Sequence, residues 1–371
     1  MKRKGEQGVA IEIVDKADPA TLARFDMVID VRSPAEFAQD HAPGAVNLPV
    51  LTNEERAEVG TIYVQDSRFR ARRIGAAYIA RNVARYLETE LADKDGAFQS
   101  LIYCWRGGQR SNAMAVILSQ VGWRTAVLAG GYKTYRRHVS EALYDAALPH
   151  RLVLLDGPTG SGKTELLGLL AERGVQILDL EGLAAHRGSL FGGLPGVAQP
   201  SQKMFESRLL AAVAALDPAR PVLVEAESSK IGERMIPPAL WTRMEIAPRI
   251  TLSAPPEARA RYSVAAYQEI TRDPAALHDI LARVPDRPGR KQLAEWRALA
   301  QAGAFEALAA ALIELHYDPA YRRSSKRDGR ASLATIEMTG VTPADLAAAA
   351  ARIAPLLVDA AERLPGTAVR A

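Results

Sequence analysis

The sequence predicts an α/β protein of two successive parallel-sheet units, and three observations carry that prediction. Short apolar segments alternate with helical stretches from Met27 to Leu252. A strand, Leu101-Ile102-Tyr103, enters a glycine-rich turn, Cys104-Trp105-Arg106-Gly107-Gly108-Gln109-Arg110-Ser111, followed by an apolar helix at 112–121. A fresh apolar strand at 151–156 enters a second glycine-rich turn, Gly157-Pro158-Thr159-Gly160-Ser161-Gly162-Lys163-Thr164, followed by a helix at 165–173. Such alternation implies a mainly parallel sheet with helices on both faces.

Taken in order, 27–31 reads as a buried strand. A short helix follows at 33–38, where Ser33 and Glu36 have the spacing of a capping box. A short strand is expected at 45–49. Helical periodicity (Ile74, Ala77, Tyr78, Ala84, Leu87) covers 73–91. The strand 101–103 leads to Cys104, and 126–129 forms a further strand stopped by Gly130-Gly131. A linker helix is expected at 133–148, dividing the chain into units 1–145 and 146–371. In the second unit, strands are expected at 151–156, 175–179, 221–225 and 249–252. From Pro274 onward the Ala/Leu/Arg-rich chain reads as a helical C-terminal extension.

Composition excludes several classes. Of 371 residues, 48% are hydrophobic and 24% charged, as in ordinary globular chains. The single cysteine excludes an intrachain disulfide and fits a reducing, cytoplasmic location. The basic start at 1–7 is followed by no apolar run, so neither a signal peptide nor a membrane span is expected. Net charge is +4. Its clustering says more than its size. Arg68, Arg70, Arg72 and Arg73 crowd one short stretch, Arg136 and Arg137 lie among tyrosines, and Arg322 and Arg323 follow Tyr321. These patches are candidate contacts for a nucleic-acid backbone.

Cys104 lies where a thiol does chemistry. A cysteine at a strand end, in a glycine-rich turn facing a helix N-terminus and flanked by Arg106 and Arg110, is expected to have a depressed pKa. The turn's amides form an anion cradle. A nucleophile inside an anion site points to transfer of a sulfur-like, selenium-like or phosphoryl group.

The second turn matches the phosphate-loop pattern in full, with strand before and helix after. Gly157, Gly160, Ser161 and Gly162 let backbone wrap a phosphate, Lys163 reaches the outer phosphates, and Thr164 can ligate Mg²⁺. The motif specifies an anion shape rather than ATP. Asp179 and Glu181 after one strand, and Glu225 and Glu227 after the next, are candidate metal ligands or general bases at the carboxyl edge of the sheet; N-capping and surface pairing are the plainer alternatives. His41 and His138 lack metal-ligand spacing with any partner, and no resident metal site is assigned.

Asp30-Val31-Arg32-Ser33-Pro34-Ala35-Glu36-Phe37, with His41-Ala42-Pro43-Gly44-Ala45-Val46-Asn47-Leu48-Pro49, Cys104 and Gly130-Gly131-Tyr132, resembles a rhodanese domain. That resemblance puts Asp30 and Arg32 in a bracing role beside the active loop. The fusion of this pattern to a phosphate-loop unit, together with 103–111, 179–189, 202–206 and 224–232, resembles the tRNA 2-selenouridine synthases. It implies a rhodanese-like parallel-sheet domain followed by a P-loop NTPase-like α/β domain. It also implies a transferase that replaces the sulfur of wobble-position 2-thiouridine with selenium from selenophosphate, with associated S-geranylation from geranyl diphosphate. The partners implied are tRNA carrying that base and, transiently, the enzyme that makes selenophosphate. By the same resemblance Cys104 handles selenium.

Three rivals stay open. Five residues separate Cys104 from Arg110, the loop length of rhodanese-fold phosphatases, so a phosphatase or sulfurtransferase fused to a kinase-like domain fits the same residues. A kinase with a regulatory first unit and a non-catalytic tRNA-binding protein are the others.

Overall fold

The computed structural model describes residues 10–189, 191–193, 196–282, 284, 289–327 and 330–363. The basic stretch 1–7 lies outside them. The chain divides into two compact units, Met1–Asp145 with Ser201–Ala211, and Ala146–Pro200 with Ala212–Ala371. The assignment of 201–211 to the first unit is a feature that sequence reading did not anticipate.

In the first unit, strands β1 (Glu12–Val14), β2 (Met27–Asp30), β3 (Val46–Asn47), β4 (Gln99–Tyr103) and β5 (Arg124–Leu128) form a parallel sheet of order β1-β5-β4-β2-β3. Asp30 pairs in register with Tyr103, so the ends of β2 and β4 deliver Asp30 and Cys104 side by side. Ile29, Ile102, Val127, Met114 and Leu118 pack in the core of this unit. The expected capping box forms, with Ser33 heading the helix Pro34–Gln39.

Three elements differ from those expected. The helix expected at 73–91 spans Arg68–Glu88 and is capped by Ser67, so the arginine run opens this helix rather than preceding it. A further helix, Asn53–Gln65, packs against it. The expected linker helix is an α-helix over Tyr132–Ser140 that widens into a π-turn over Glu141–Asp145.

In the second unit, β6 (Leu152–Asp156), β7 (Gln176–Leu178) and β8 (Val222–Glu225) are followed by a small antiparallel hairpin, β9 (Lys230–Ile231) and β10 (Arg234–Met235). Then come β11 (Arg249–Ser253) and β12 (Ser332–Glu337). The main sheet is parallel, with order β12-β11-β6-β8-β7, so β6 is central and delivers the phosphate loop.

The C-terminal extension is thus not wholly helical. β12 adds an edge strand, and the helix Pro343–Arg363 lays Leu346, Ala350 and Ile353 against Leu166, Leu167 and Leu170 of the helix after the phosphate loop. A separate helical core gathers Ile270, Leu277, Trp296, Leu308 and Leu312.

Candidate active site

Cys104 directly follows β4 and is 3% exposed. Burial raises its pKa, but the Ser111 hydroxyl and the amides of Ser111, Arg106 and Gly108 overcome that and hold the thiol below its ordinary value. The Ser111 hydroxyl lies 3.3 Å from the sulfur and the Gly108 amide 3.2 Å. The expectation that two arginines depress this thiol needs correcting. Arg110 donates to Glu36 at 2.8 Å, and Arg106 points outward, exposed, with no ion pair among the described residues. Ser111, which the sequence reading quoted but did not assign, supplies the largest lowering effect. Its position in the first turn of the helix Gln109–Val121 was the available signal.

The loop is held from below. Gly131 has φ +59°, and a Cβ there would stand 2.2 Å from the Cys104 carbonyl oxygen, so only glycine allows this approach. The Tyr132 amide donates to that same carbonyl at 2.8 Å. Asp30 and Arg32 form a buried pair in which Arg32 Nε lies 3.0 Å from both carboxylate oxygens and Nη2 lies 2.6 Å from one. Arg32 also donates to the Asp40 carbonyl at 2.6 Å, and its guanidinium sits 4.0 Å from the Tyr132 ring centroid. These contacts position the loop; neither residue is bonded to the sulfur among the described interactions.

In the second unit, Lys163 Nζ donates to the Gly157 carbonyl at 2.9 Å, and Ser161 Oγ donates to the Pro158 carbonyl at 2.7 Å. Gly160 has φ +82°, and a Cβ there would lie 2.7 Å from the Arg259 carbonyl. Gly162, also in the left-handed region, precedes the helix Lys163–Ala171. Arg259 braces the loop: it donates to the Thr159 carbonyl at 3.2 Å and grips Asp318 through two bonds of 2.9 and 2.7 Å. Sequence spacing gave no hint of this pair.

Thr164 Oγ1 lies 3.0 Å from both Glu181 and Glu225. Burial, then the charges of Glu225 and Glu227, push Glu181 up to about 9. Burial, then Asp179 and Glu227, push Glu225 up to about 7. Glu227 is raised as well, chiefly by burial and against the pull of Lys163. Asp179 departs from this group: it caps the helix Leu180–Ala184, accepting from the Gly182 amide at 2.7 Å. Capping therefore describes Asp179, whereas the three glutamates face the phosphate loop. Among the described residues, no group of three His, Cys, Asp or Glu side chains is arranged to hold a metal ion.

Beside the phosphate loop lies an apolar cavity lined by Phe191, Leu277, Phe305, Leu308 and Leu312. It shares Thr159, Ser189 and Tyr267 with the phosphate-loop cavity. An anion cradle and an apolar chamber are thus adjacent within one unit, an arrangement suited to a ligand with a phosphate head and a hydrocarbon tail.

The arginine patches divide. Arg136 is not available to a phosphate backbone, because it pairs with buried Glu206 and lies 4.0 Å from Asp40. Arg137 is exposed and lies 4.0 Å from Glu141. Arg68, Arg70, Arg72 and Arg73 are exposed, with Arg70 bonded to Asp66 at 2.6 Å. Arg322 and Arg323 are exposed on the helix Asp318–Arg327; the side chains of residues 324–327 lie outside the description. No described helix is long and apolar enough to cross a membrane.

Comparison with known proteins agrees with this architecture. Residues 12–138 match the rhodanese-like domain, and residues 150–343 match the tRNA 2-selenouridine synthase AAA domain. The tRNA 2-selenouridine synthase of Bdellovibrio bacteriovorus is 36% identical over 62% of this chain and 61% of that protein. That of Aeromonas salmonicida is 38% identical over 63% and 62%, and that of Shewanella denitrificans 34% identical over 72% and 71%. The match spans about 60% of the length of the first of these curated relatives. Among solved structures, a Saccharomyces cerevisiae homologue of single-domain rhodanese and the Cdc25 phosphatase catalytic domain is 18% identical, with TM-score 0.22, over 36% of this chain and 84% of that chain. With the second-unit model covering more than half of its length, the chain belongs to the tRNA 2-selenouridine synthase family.

Proposed function

We propose that the protein replaces the sulfur of wobble-position 2-thiouridine in tRNA with selenium from selenophosphate, by way of an S-geranylated base. The observation that carries this reading is the apolar chamber abutting the phosphate loop. Geranyl diphosphate, with a phosphate head and a hydrocarbon tail, matches this pair of adjacent cavities.

In the first step the thiouridine sulfur bonds to C1 of the geranyl group, the C1–O bond breaks, and diphosphate leaves. Lys163 and the loop amides favour the charge that gathers on the departing diphosphate. Mg²⁺ would supply further neutralisation. The Thr164 hydroxyl and Glu225, whose Oε2 is buried without a partner, fit such an ion. In the second step selenium bonds to C2, geranyl thiol leaves, and water cleaves the Se–P bond to release phosphate. No oxidant is required. Cys104, with the amides of its turn, handles the selenium donor. Arg110 argues against the phosphatase alternative, because its guanidinium is engaged by Glu36 rather than free to hold a tetrahedral anion.

The test is to incubate 2-thiouridine tRNA with the protein and geranyl diphosphate in the absence of selenophosphate. A geranylated nucleoside should form with the parent protein and with Cys104→Ala, and should be lost with Lys163→Ala. Failure to form it with the parent protein contradicts the alkylation step.

A further inference from the structure

We propose that the groove between the helices Asn53–Gln65 and Arg68–Glu88 binds an unstacked nucleotide of single-stranded RNA. The inference rests on the reading above and deepens it by assigning the recognition surface within the first unit.

The groove, of about 650 Å³, has walls of Val59 and Tyr63 on one helix and Gly75 and Ala76 on the other. Gly75 is buried, and a Cβ there would meet Val59 at 3.5 Å, so the two helices lie close at this wall. In the groove's lining, Val64 is 83% exposed and Tyr63 44%, and Phe69 in the first turn of the second helix is 76% exposed. Apolar groups left in water at one site mark an interaction surface.

Charge selects the partner. The helix Arg68–Glu88 carries Arg68, Arg70, Arg72, Arg73, Arg81 and Arg85 against Glu88. On the opposing helix and the turn after it, Glu55 is bonded to Thr52 and Asn82, Glu58 to the Tyr78 hydroxyl, and Asp66 to Arg70. Arg72 and Arg73 have no ion pair among the described residues, and the Arg68 guanidinium stands 5.5 Å from the Tyr63 ring centroid. Arginines interleaved with exposed aromatics around an apolar slot suit a phosphate backbone with a splayed base, since stacking tolerates any base and a duplex offers none. Position supplies the last argument. Gln109, Arg110, Ala113 and Ile117, on the helix that follows the Cys104 loop, also line the groove. The groove and the Cys104 loop thus share one helix.

The test is fluorescence anisotropy of the full chain with a labelled U-rich single-stranded RNA and, separately, an RNA duplex. Ala76→Trp fills the groove from an exposed position without changing charge. It should weaken single-strand binding about tenfold, the loss of one stacked base, and leave duplex binding unchanged. Arg72→Glu with Arg73→Glu should weaken both and reduce the single-strand salt slope by about 1.4, two phosphate contacts. If the parent protein binds RNA and Ala76→Trp binds the single strand equally well, the groove assignment is overturned while the modification reading stands. If the parent protein binds neither RNA, both fall.

Discussion

The Ser111 hydroxyl lies 3.3 Å from the Cys104 sulfur, and with three amides it lowers the pKa of the only cysteine in the chain. The thiol's pKa is lowered by short-range hydrogen bonds inside a buried turn, with no contribution from the neighbouring guanidinium groups. Because a depressed pKa means that the turn binds the anion better than the thiol, losing a donor must move the titration upward. Ser111→Ala should shift the midpoint of Cys104 alkylation toward the ordinary thiol range and slow alkylation at neutral pH. Arg110→Ala should leave the midpoint in place. A pH series of iodoacetamide labelling reads both, with no other cysteine to interfere.

Arg32→Met should strip the charge partner from Asp30, which is fully buried. An uncompensated buried carboxylate costs about 3–5 kcal/mol, so the urea midpoint of the first unit should fall sharply. A fall within the scatter typical of surface substitutions would show that the pair does not brace the loop.

Asp318→Asn should release Arg259, whose guanidinium holds the Thr159 carbonyl of the phosphate loop. Its effect should appear as a lowered melting temperature and as roughly tenfold weaker binding of inorganic diphosphate, about 1.4 kcal/mol. Isothermal titration calorimetry measures the second effect directly.

Ala309 lines the apolar chamber, so Ala309→Leu should fill part of it. Affinity for geranyl diphosphate should fall several-fold while affinity for inorganic diphosphate stays unchanged. Lys163→Ala should weaken both. Equal losses of both ligands in Ala309→Leu would mean that the chamber does not receive the tail.

Local pattern made much of this legible. The strands feeding Cys104 and the phosphate loop, and the capping box at Ser33, are short-range features written in apolar runs and turn residues. What was not legible depends on distant partners. β12 places only Ile336 among its fully buried side chains, so its edge strand lacks an apolar signature. Arg259 and Asp318 meet across a sequence separation of 59, and Arg136 is neutralised by Glu206 from a segment whose place in the first unit no local pattern reveals. Local pattern alone therefore suggests a nucleic-acid contact at Arg136, and the apolar chamber, assembled from several helices, has no local signature.

The central claim is selenium transfer dependent on Cys104. The most direct measurement is nucleoside mass spectrometry of 2-thiouridine tRNA incubated with the protein, geranyl diphosphate and selenophosphate, beside Cys104→Ala. Selenium in place of sulfur with the parent protein, and only the geranylated base with the variant, is the expected result. Equal selenium incorporation by Cys104→Ala would contradict the role assigned to the thiol.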